Sequence, residues 1–305
     1  MVAVTPAAGA PAAGTRARRR RADRESDTVT VGRSRAGTVA ANAAGILFVV
    51  VMAFPVYWVL NTALKPSNEI LQFDPTLVPH SPTLDNFRSA FNAPYFQQDL
   101  INSVLITLGA VAGAIVVGFL AALAVARFRF YGRKAIILVI LGVQMVPLVS
   151  LLIPLFLMLQ GANLTKSLLG VTIVYIVLIL PYTVWTLRGF ISGIPRELDE
   201  AALIDGCTRS QVFWRIILPL TGPGLVATSV YGFIQAWNEF IIINTFNDQA
   251  QQNLMAWLLQ NQTQRGTFWG PLMAGSILTA IPVVIFFLII QRNIATGLTA
   301  GAVKG

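Results

Sequence analysis

Six stretches without a single charged residue, 36–64, 100–126, 135–165, 167–187, 216–238 and 266–291, constrain this chain more than any other feature of it. Each reaches or exceeds the roughly 20 residues that an α-helix needs to cross about 30 Å of hydrocarbon. Lipid offers the backbone no hydrogen-bonding partner, so a helix, which satisfies its N–H and C=O groups internally, is the form such stretches take. The expected fold is an all-α polytopic membrane protein of six transmembrane helices, the first over about 39–61. A further uncharged stretch at 249–264 is too short and too rich in Gln and Asn to span. The tightest hairpin is the third-to-fourth, where only Gly161 to Ser167 separates two spans. Only 11% of the residues are charged, where soluble domains need about a quarter to cover their surface.

The formal net charge of +9 raises nucleic acid as a partner, and the positions of the charges argue against it. With both termini on the cytoplasmic side, all of the 22 Lys and Arg residues except Lys65, Arg88, Lys166 and Arg265 fall on that side. This asymmetry orients a multi-span protein, and the charges then face an anionic membrane surface. The cluster from Arg16 to Arg24 carries no interleaved aromatics, so no nucleic-acid module is expected. Residues 1–38, rich in Ala, Gly, Arg and Thr, read as a disordered cytoplasmic tail. The first apolar stretch is too long for the core of a cleaved signal. One cysteine, Cys207, excludes an internal disulfide. The single histidine, His80, has no second ligand near it in sequence and reads as a loop residue rather than a metal site.

Between the first two spans lies an external segment, 62–99, broken by Pro66, Pro75, Pro79, Pro82 and Pro94. Short helices and turns are expected there, with Glu69 and Asp74 as solvated loop charges. The second span carries Gly109, Gly113 and Gly118 with Ala112, Ala121 and Ala122, residues small enough for close helix approach or for generic membrane packing. Pro147, Pro154 and Pro181 interrupt the third and fourth spans, as suits a pathway that opens and closes or mere irregular packing.

The segment 192–219, between the fourth and fifth spans, is the most informative. Pro195 suits a first helical turn, and Glu197, Asp199 and Glu200 favour the positive end of a helix dipole. Ala201 and Ala202 leave a smooth face, Gly206 stops the helix, and 208–217 reads as a second helix closed by Pro219. On physical grounds alone this is a small helix fit for a groove on another protein, or an ordinary connector. A second constellation, Trp237, Asn238 and Glu239, lies in the fifth span. An acid there is a candidate for the transport pathway, with an interhelical hydrogen bond as the structural alternative. The Gln and Asn residues of the external loop 245–268 read as facing outward.

Glu200-Ala201-Ala202, three residues, Gly206, nine residues and Ile216-x-Leu218-Pro219 resemble the EAA signature of the permeases of binding-protein-dependent importers. The resemblance covers about 39–305 and is closest to the MalG-like carbohydrate-uptake subunit. Met145-Val-Pro147, Leu180-Pro181-Tyr182, Ile194-Pro195-Arg196-Glu197-Leu198, Ala236-Trp237-Asn238-Glu239-Phe240 and Trp269-Gly-Pro271 support it. The long basic tail and Cys207, where the family has a small residue, depart from it. The resemblance implies a type I ABC-importer permease bundle in a bacterial plasma membrane, with Glu200, Ala201, Ala202, Asp205 and Gly206 in a helix that couples to an ATPase subunit. It implies as partners a homologous second permease in a heterodimer, two ATPase subunits, an extracytoplasmic sugar-binding protein and the sugar, in a lipid bilayer. It also implies that the tail from Arg292 to Gly305 touches the ATPase pair. This chain is expected to hold no cofactor or metal and to be no enzyme. None of Lys65, Lys134, Lys166 and Lys304 follows a glycine, so a phosphate-binding loop is absent and ATP with Mg belongs to partner subunits. The alternatives are a permease for a peptide, an amino acid or a glycerol phosphate ester, and, from another class, an ion-coupled secondary transporter. The latter would place several acids in the spans, where only Glu239 stands.

Overall fold

The computed structural model describes residues 35–260, 262–263 and 266–302. The basic tail up to residue 34, Arg265, Lys304 and the side chains from Arg292 onward lie outside what is described. The chain divides into two compact units, Met1–Val56 and Tyr57–Gly305. Of the first, only the opening of α1 (Arg35–Ala63) is described, a continuous helix carrying Pro55.

The second unit is built of helices. After α1 come α2 (Ser67–Ile70), α3 (Asp85–Phe91), α4 (Phe96–Arg127), α5 (Arg133–Val143), α6 (Leu148–Gly161) and α7 (Leu168–Gly193). Next are α8 (Arg196–Ile204) and α9 (Arg209–Val212), the latter running on through a π-helical turn, Phe213–Ile217, and a last turn, Leu218–Leu220. Then follow α10 (Gly222–Asn238), α11 (Ile241–Phe246), α12 (Leu254–Gln260) and α13 (Trp269–Ala302). Gln262–Thr263 pairs antiparallel with Gly266–Thr267 in a minimal hairpin before α13.

Among the described residues, four helices are individually long and apolar enough to cross a membrane: Gly37–Ala63 within α1, α4, α7 and Trp269–Gln291 within α13. The third and fifth expected spans are broken. Between α5 and α6 the axis turns by 106°, and between Arg209–Leu220 and α10 by 66°, so the total is six if each bent pair is one span. The chemistry of each break is local. Pro147 lacks an N–H and sits at the N-cap of α6 in extended geometry, φ −61° and ψ 131°. At the other break Thr221 precedes Gly222, and Pro223 stands in the first turn of α10.

Helices α4 and α7 pack along most of their length, and α10 lies against both. Lipid tails are as apolar as leucine, so close packing rather than escape from water must hold such a bundle together. The glycines of α4 permit that approach. A Cβ added at Gly109 would lie 3.2 Å from Thr172 Cγ2, at Gly113 2.5 Å from Ile176 Cδ1, and at Gly118 2.6 Å from Thr183 Cγ2. The glycines of the second span therefore form a specific α4–α7 seam, whereas Ala112 of the same stripe is exposed. Ala110, Ala114 and Ala122, all fully buried, complete it.

In the external segment Glu69 departs from the solvated role expected of it. It is only 6% exposed, because the chain closes on its carboxylate: Oε1 accepts from the His80 N–H at 2.8 Å and the Thr76 hydroxyl at 3.1 Å. His80 Nδ1 lies 3.0 Å from the same oxygen. The hydrogen bond from the His80 backbone, the largest influence, holds the Glu69 carboxyl below its usual value despite burial. Lys65 is buried beside it, donating to the Thr76 carbonyl at 2.5 Å and lying over the Trp58 ring.

Candidate functional site

Two places gather the residues singled out in the sequence. The first is α8. Its N-cap is Pro195, and Glu197 and Asp199 stand in its first turn. Its end is a Schellman turn: the Gly206 N–H donates to the Leu203 carbonyl at 3.2 Å and the Cys207 N–H to the Ala202 carbonyl at 2.9 Å. Gly206 adopts φ +88°, a conformation that costs any residue with a Cβ roughly 1–2 kcal/mol. The next helix then starts at once, with Thr208 and Gln211 forming a reciprocal capping box. The turn between α8 and α9 is thus rigid by construction.

The five α8 residues divide into two faces. Ala202 is buried in a core with Phe119, Ala122 and Ala126 of α4 and Leu187 and Ile191 of α7. Glu200, Ala201, Asp205 and Gly206 are exposed. Leu198, Leu203 and Ile204 are exposed with them, Ile204 to 85%. An outward face mixing Glu200 and Asp205 with apolar Leu203 and Ile204 is unusual for a helix with nothing opposite it. On the inward side Arg127 of α4 pairs with Asp199 at 3.0 Å and donates to the Ile194 carbonyl at 3.0 Å.

The second place is a cavity of about 390 Å³ bounded by α5, α6, α7, α10 and α11. Its walls are mostly apolar, with Gln144, Tyr175, Tyr231, Gln235, Asn238 and Glu239 as the polar groups. Three departures from regular helix meet here: the α5–α6 break at Gln144 and Val146, Pro181 within α7, and the extended residue Glu239 between α10 and α11. Interrupted helices at a cavity expose backbone polar groups where a ligand or water meets them. Tyr182 stacks on Tyr231 at 3.7 Å between ring centroids, and the Gln235 amide donates to the Tyr231 hydroxyl at 3.2 Å.

Glu239 is half-buried and held from three sides. The Tyr175 hydroxyl donates to Oε2 at 2.6 Å, and the Ile242 N–H, in the first turn of α11, donates to Oε1 at 3.1 Å. Asn253 donates to its carbonyl at 2.6 Å. The carboxylate thereby makes the interhelical hydrogen bond of the structural reading and supports the start of α11, while lining the cavity. Asn238 is exposed to the same cavity and donates to the Ile234 carbonyl at 2.9 Å. Trp237 is not with them. It is only 4% exposed, on a different face of α10, stacked on Phe233, which in turn stacks on Phe286 of α13. In the loop that follows, Asn247, Gln252 and Asn253 are buried rather than outward-facing. They are consumed in local hydrogen bonds, such as Asn253 Oδ1 accepting from the Ala256 N–H.

Residues 114–299 match the model of the family described as "Binding-protein-dependent transport system inner membrane component". The chain belongs to that family. This permease is 42% identical over 274 residues to the diacetylchitobiose uptake system permease protein DasC of Streptomyces coelicolor, covering 90% of this chain and 99% of that one. It is 37% identical to the trehalose transport system permease protein SugB of Mycobacterium tuberculosis, over 82% of this chain and 92% of that one. Among solved structures, a bacterial ABC transporter that imports the acidic polysaccharide alginate has a chain of the same fold, with a TM-score of 0.73 at 17% identity, covering 85% of the permease and 98% of that chain. The EAA stretch of the permease and all three departures from regular helix around its cavity lie within the matched region.

Sequence reasoning passed over several residues of the permease that the geometry brings forward. Arg127 read only as a cytoplasmic loop charge, and Tyr175 as one apolar-span residue among many. Tyr175 is 1% exposed, and a tyrosine in a span needs a partner for its hydroxyl, which was the available signal. Asp199 read as a helix-dipole residue, and its pairing with Arg127 had no sequence signature.

Proposed function

We propose that the permease forms half of the translocation pathway of an ATP-driven, binding-protein-dependent importer of di- or oligosaccharides. The observation that carries this reading is the similarity over 90% of the chain to a diacetylchitobiose uptake permease. The cavity is consistent with it: Tyr175, Tyr231, Gln144, Gln235, Asn238 and Glu239 among apolar walls match a ligand with apolar faces and many hydroxyls. Each bent pair counts as one span here, giving six with both termini in the cytoplasm, as the Lys and Arg distribution favours.

A homologous second permease supplies the other half, and an extracytoplasmic binding protein delivers the sugar. Two ATPase subunits bind ATP and Mg. Of the α8 residues, Glu200, Ala201, Asp205 and Gly206 meet a cleft of one ATPase, and Ala202 seats the helix against its own bundle. ATP-driven closure moves α8 with α7, which it joins directly, and through α9 with α10, and both α7 and α10 line the cavity. A displacement of the short helix therefore biases the pathway between two states.

Cysteine cross-linking tests this arrangement. In a Cys207→Ser background, Ala201→Cys is expected to cross-link to an ATPase subunit bearing a cysteine in its cleft, with a yield that changes on adding ATP. Cross-linking that is absent, or indifferent to nucleotide, would remove the docking assignment. Labelled disaccharide taken up by the intact complex, and no uptake of amino acids, is the result expected for substrate class.

A further inference from the structure

We propose that Arg127 and Asp199 form a latch that makes α4 move with α8, so that Arg127 is a positioning residue for transport. This rests on the reading of α8 as the ATPase contact and adds a residue to it. Covalently, α8 is tied only to α7, through Ile194 and Pro195, and to α9, through the turn at Gly206. No backbone connection links it to α4, although α4 packs more extensively on α7 than on any other helix.

The latch closes that gap. Arg127 is the last residue of α4, where a cation also complements the negative end of the helix. Its Nε lies 3.0 Å from Asp199 Oδ2, with side-chain exposures of only 10% and 19%. Its Nη1 donates to the Ile194 carbonyl at 3.0 Å, the point where α7 ends. The reciprocal contact comes from α8: Arg196 Nη2 lies 3.4 Å from the carbonyls of Ala126 and of Arg127. These belong to the last turn of α4, whose carbonyls have no partner within the helix. One guanidinium from each helix thus grips the end of the other, and three elements meet at one ion pair.

An exposed ion pair contributes little, whereas this one is largely withdrawn from water, and removing one partner would leave the other charge poorly solvated. Above it, Gly109, Gly113 and Gly118 key α4 into α7. A pull on α8 therefore reaches α4 from below and α7 by the chain, and the two move as one body. Without the latch, α8 shifts while α4 lags, and ATP is hydrolysed without a full change of the pathway.

The test is a charge swap in the complete reconstituted importer, with its binding protein and ATPases. Arg127→Glu and Asp199→Arg, each alone, are expected to lower sugar uptake per ATP hydrolysed roughly tenfold, the effect of about 1.4 kcal/mol of lost coupling. Combining them is expected to recover at least half of the wild-type ratio. Asp199→Asn, which keeps the shape, covers the case in which a reversed charge blocks assembly, and co-purification with the ATPase checks that each complex forms. Singles that transport with normal stoichiometry, or a swap no better than its worse single, would overturn the latch. Glu200→Lys run alongside separates the two levels. If it collapses uptake while the latch variants are normal, only the latch is wrong. If it too is normal, the docking reading fails with it.

Discussion

Replacing Gly118 offers a direct check on the α4–α7 seam. A Cβ there would stand 2.6 Å from Thr183 Cγ2 and 3.2 Å from Thr183 Cβ. Thr183 cannot give way: it is fully buried, β-branched, and pinned by its hydroxyl donating to the Ile179 carbonyl at 3.1 Å. Overpacking of this kind costs about 1–3 kcal/mol, against a gain of up to about 1 kcal/mol from removing a helical glycine. The net expectation for Gly118→Ala is a loss of about 1 kcal/mol, and for Gly118→Val roughly 3 kcal/mol, because two further methyl groups deepen the clash while valine's helix propensity exceeds glycine's only slightly. At roughly 2–4 °C per kcal/mol for a chain of this size, the valine variant should melt about 6–12 °C lower in detergent. Gly113→Ala meets only the flexible tip of Ile176 and should cost less than Gly118→Ala. Gly189, with nothing within 4 Å, should accept alanine without loss. Thermal unfolding followed by tryptophan fluorescence decides the matter. Equal midpoints for Gly118→Val and wild type, or a Gly189→Ala loss as large as that of Gly118→Val, would refute the packing argument.

Three further outcomes follow from local geometry. Tyr175→Phe removes the donor to Glu239 Oε2 from a buried site, and leaving a buried polar group without its partner costs about 1–3 kcal/mol. The variant should unfold at lower temperature and take up sugar poorly while still assembling. Glu69 has a lowered folded-state pKa, so its stabilisation is fully present above the unfolded value near 4.5 and is lost as pH falls through the folded one. Protease resistance of the external segment should therefore fall with acidification below about pH 4.5, and Glu69→Gln should abolish that dependence. Gly206→Ala, forced into φ +88°, should fray the end of α8 at a cost of about 1–2 kcal/mol, seen as new proteolysis between α8 and α9.

Four unbroken spans and the stop at Gly206 were legible because each depends on residues near one another in the chain. A run of uncharged residues fixes a helix and a glycine after an apolar turn fixes a Schellman end, whereas the glycines of α4 left close approach and generic packing both open. What escaped depends on closure through space. Pro147 announces a break but not a turn of 106°, which also depends on where α6 packs. Glu69 looked solvated because the His80 and Thr76 groups that enclose it are reached only after the segment folds back. Trp237 and Asn238 are neighbours in sequence, and a helix puts neighbours on different faces, so one faces the cavity and the other a core. Arg127 and Asp199 meet from helices separated by the whole of α5, α6 and α7.

Sugar uptake and binding-protein-stimulated ATP hydrolysis, measured together in the reconstituted complex for wild type, Glu200→Lys and Gly206→Asp, test the central claim most directly. Both rates should collapse in both variants while the proteins remain inserted and folded. Normal coupled turnover in the two variants would mean that α8 is only a connector, and would contradict the account of how ATP drives this permease.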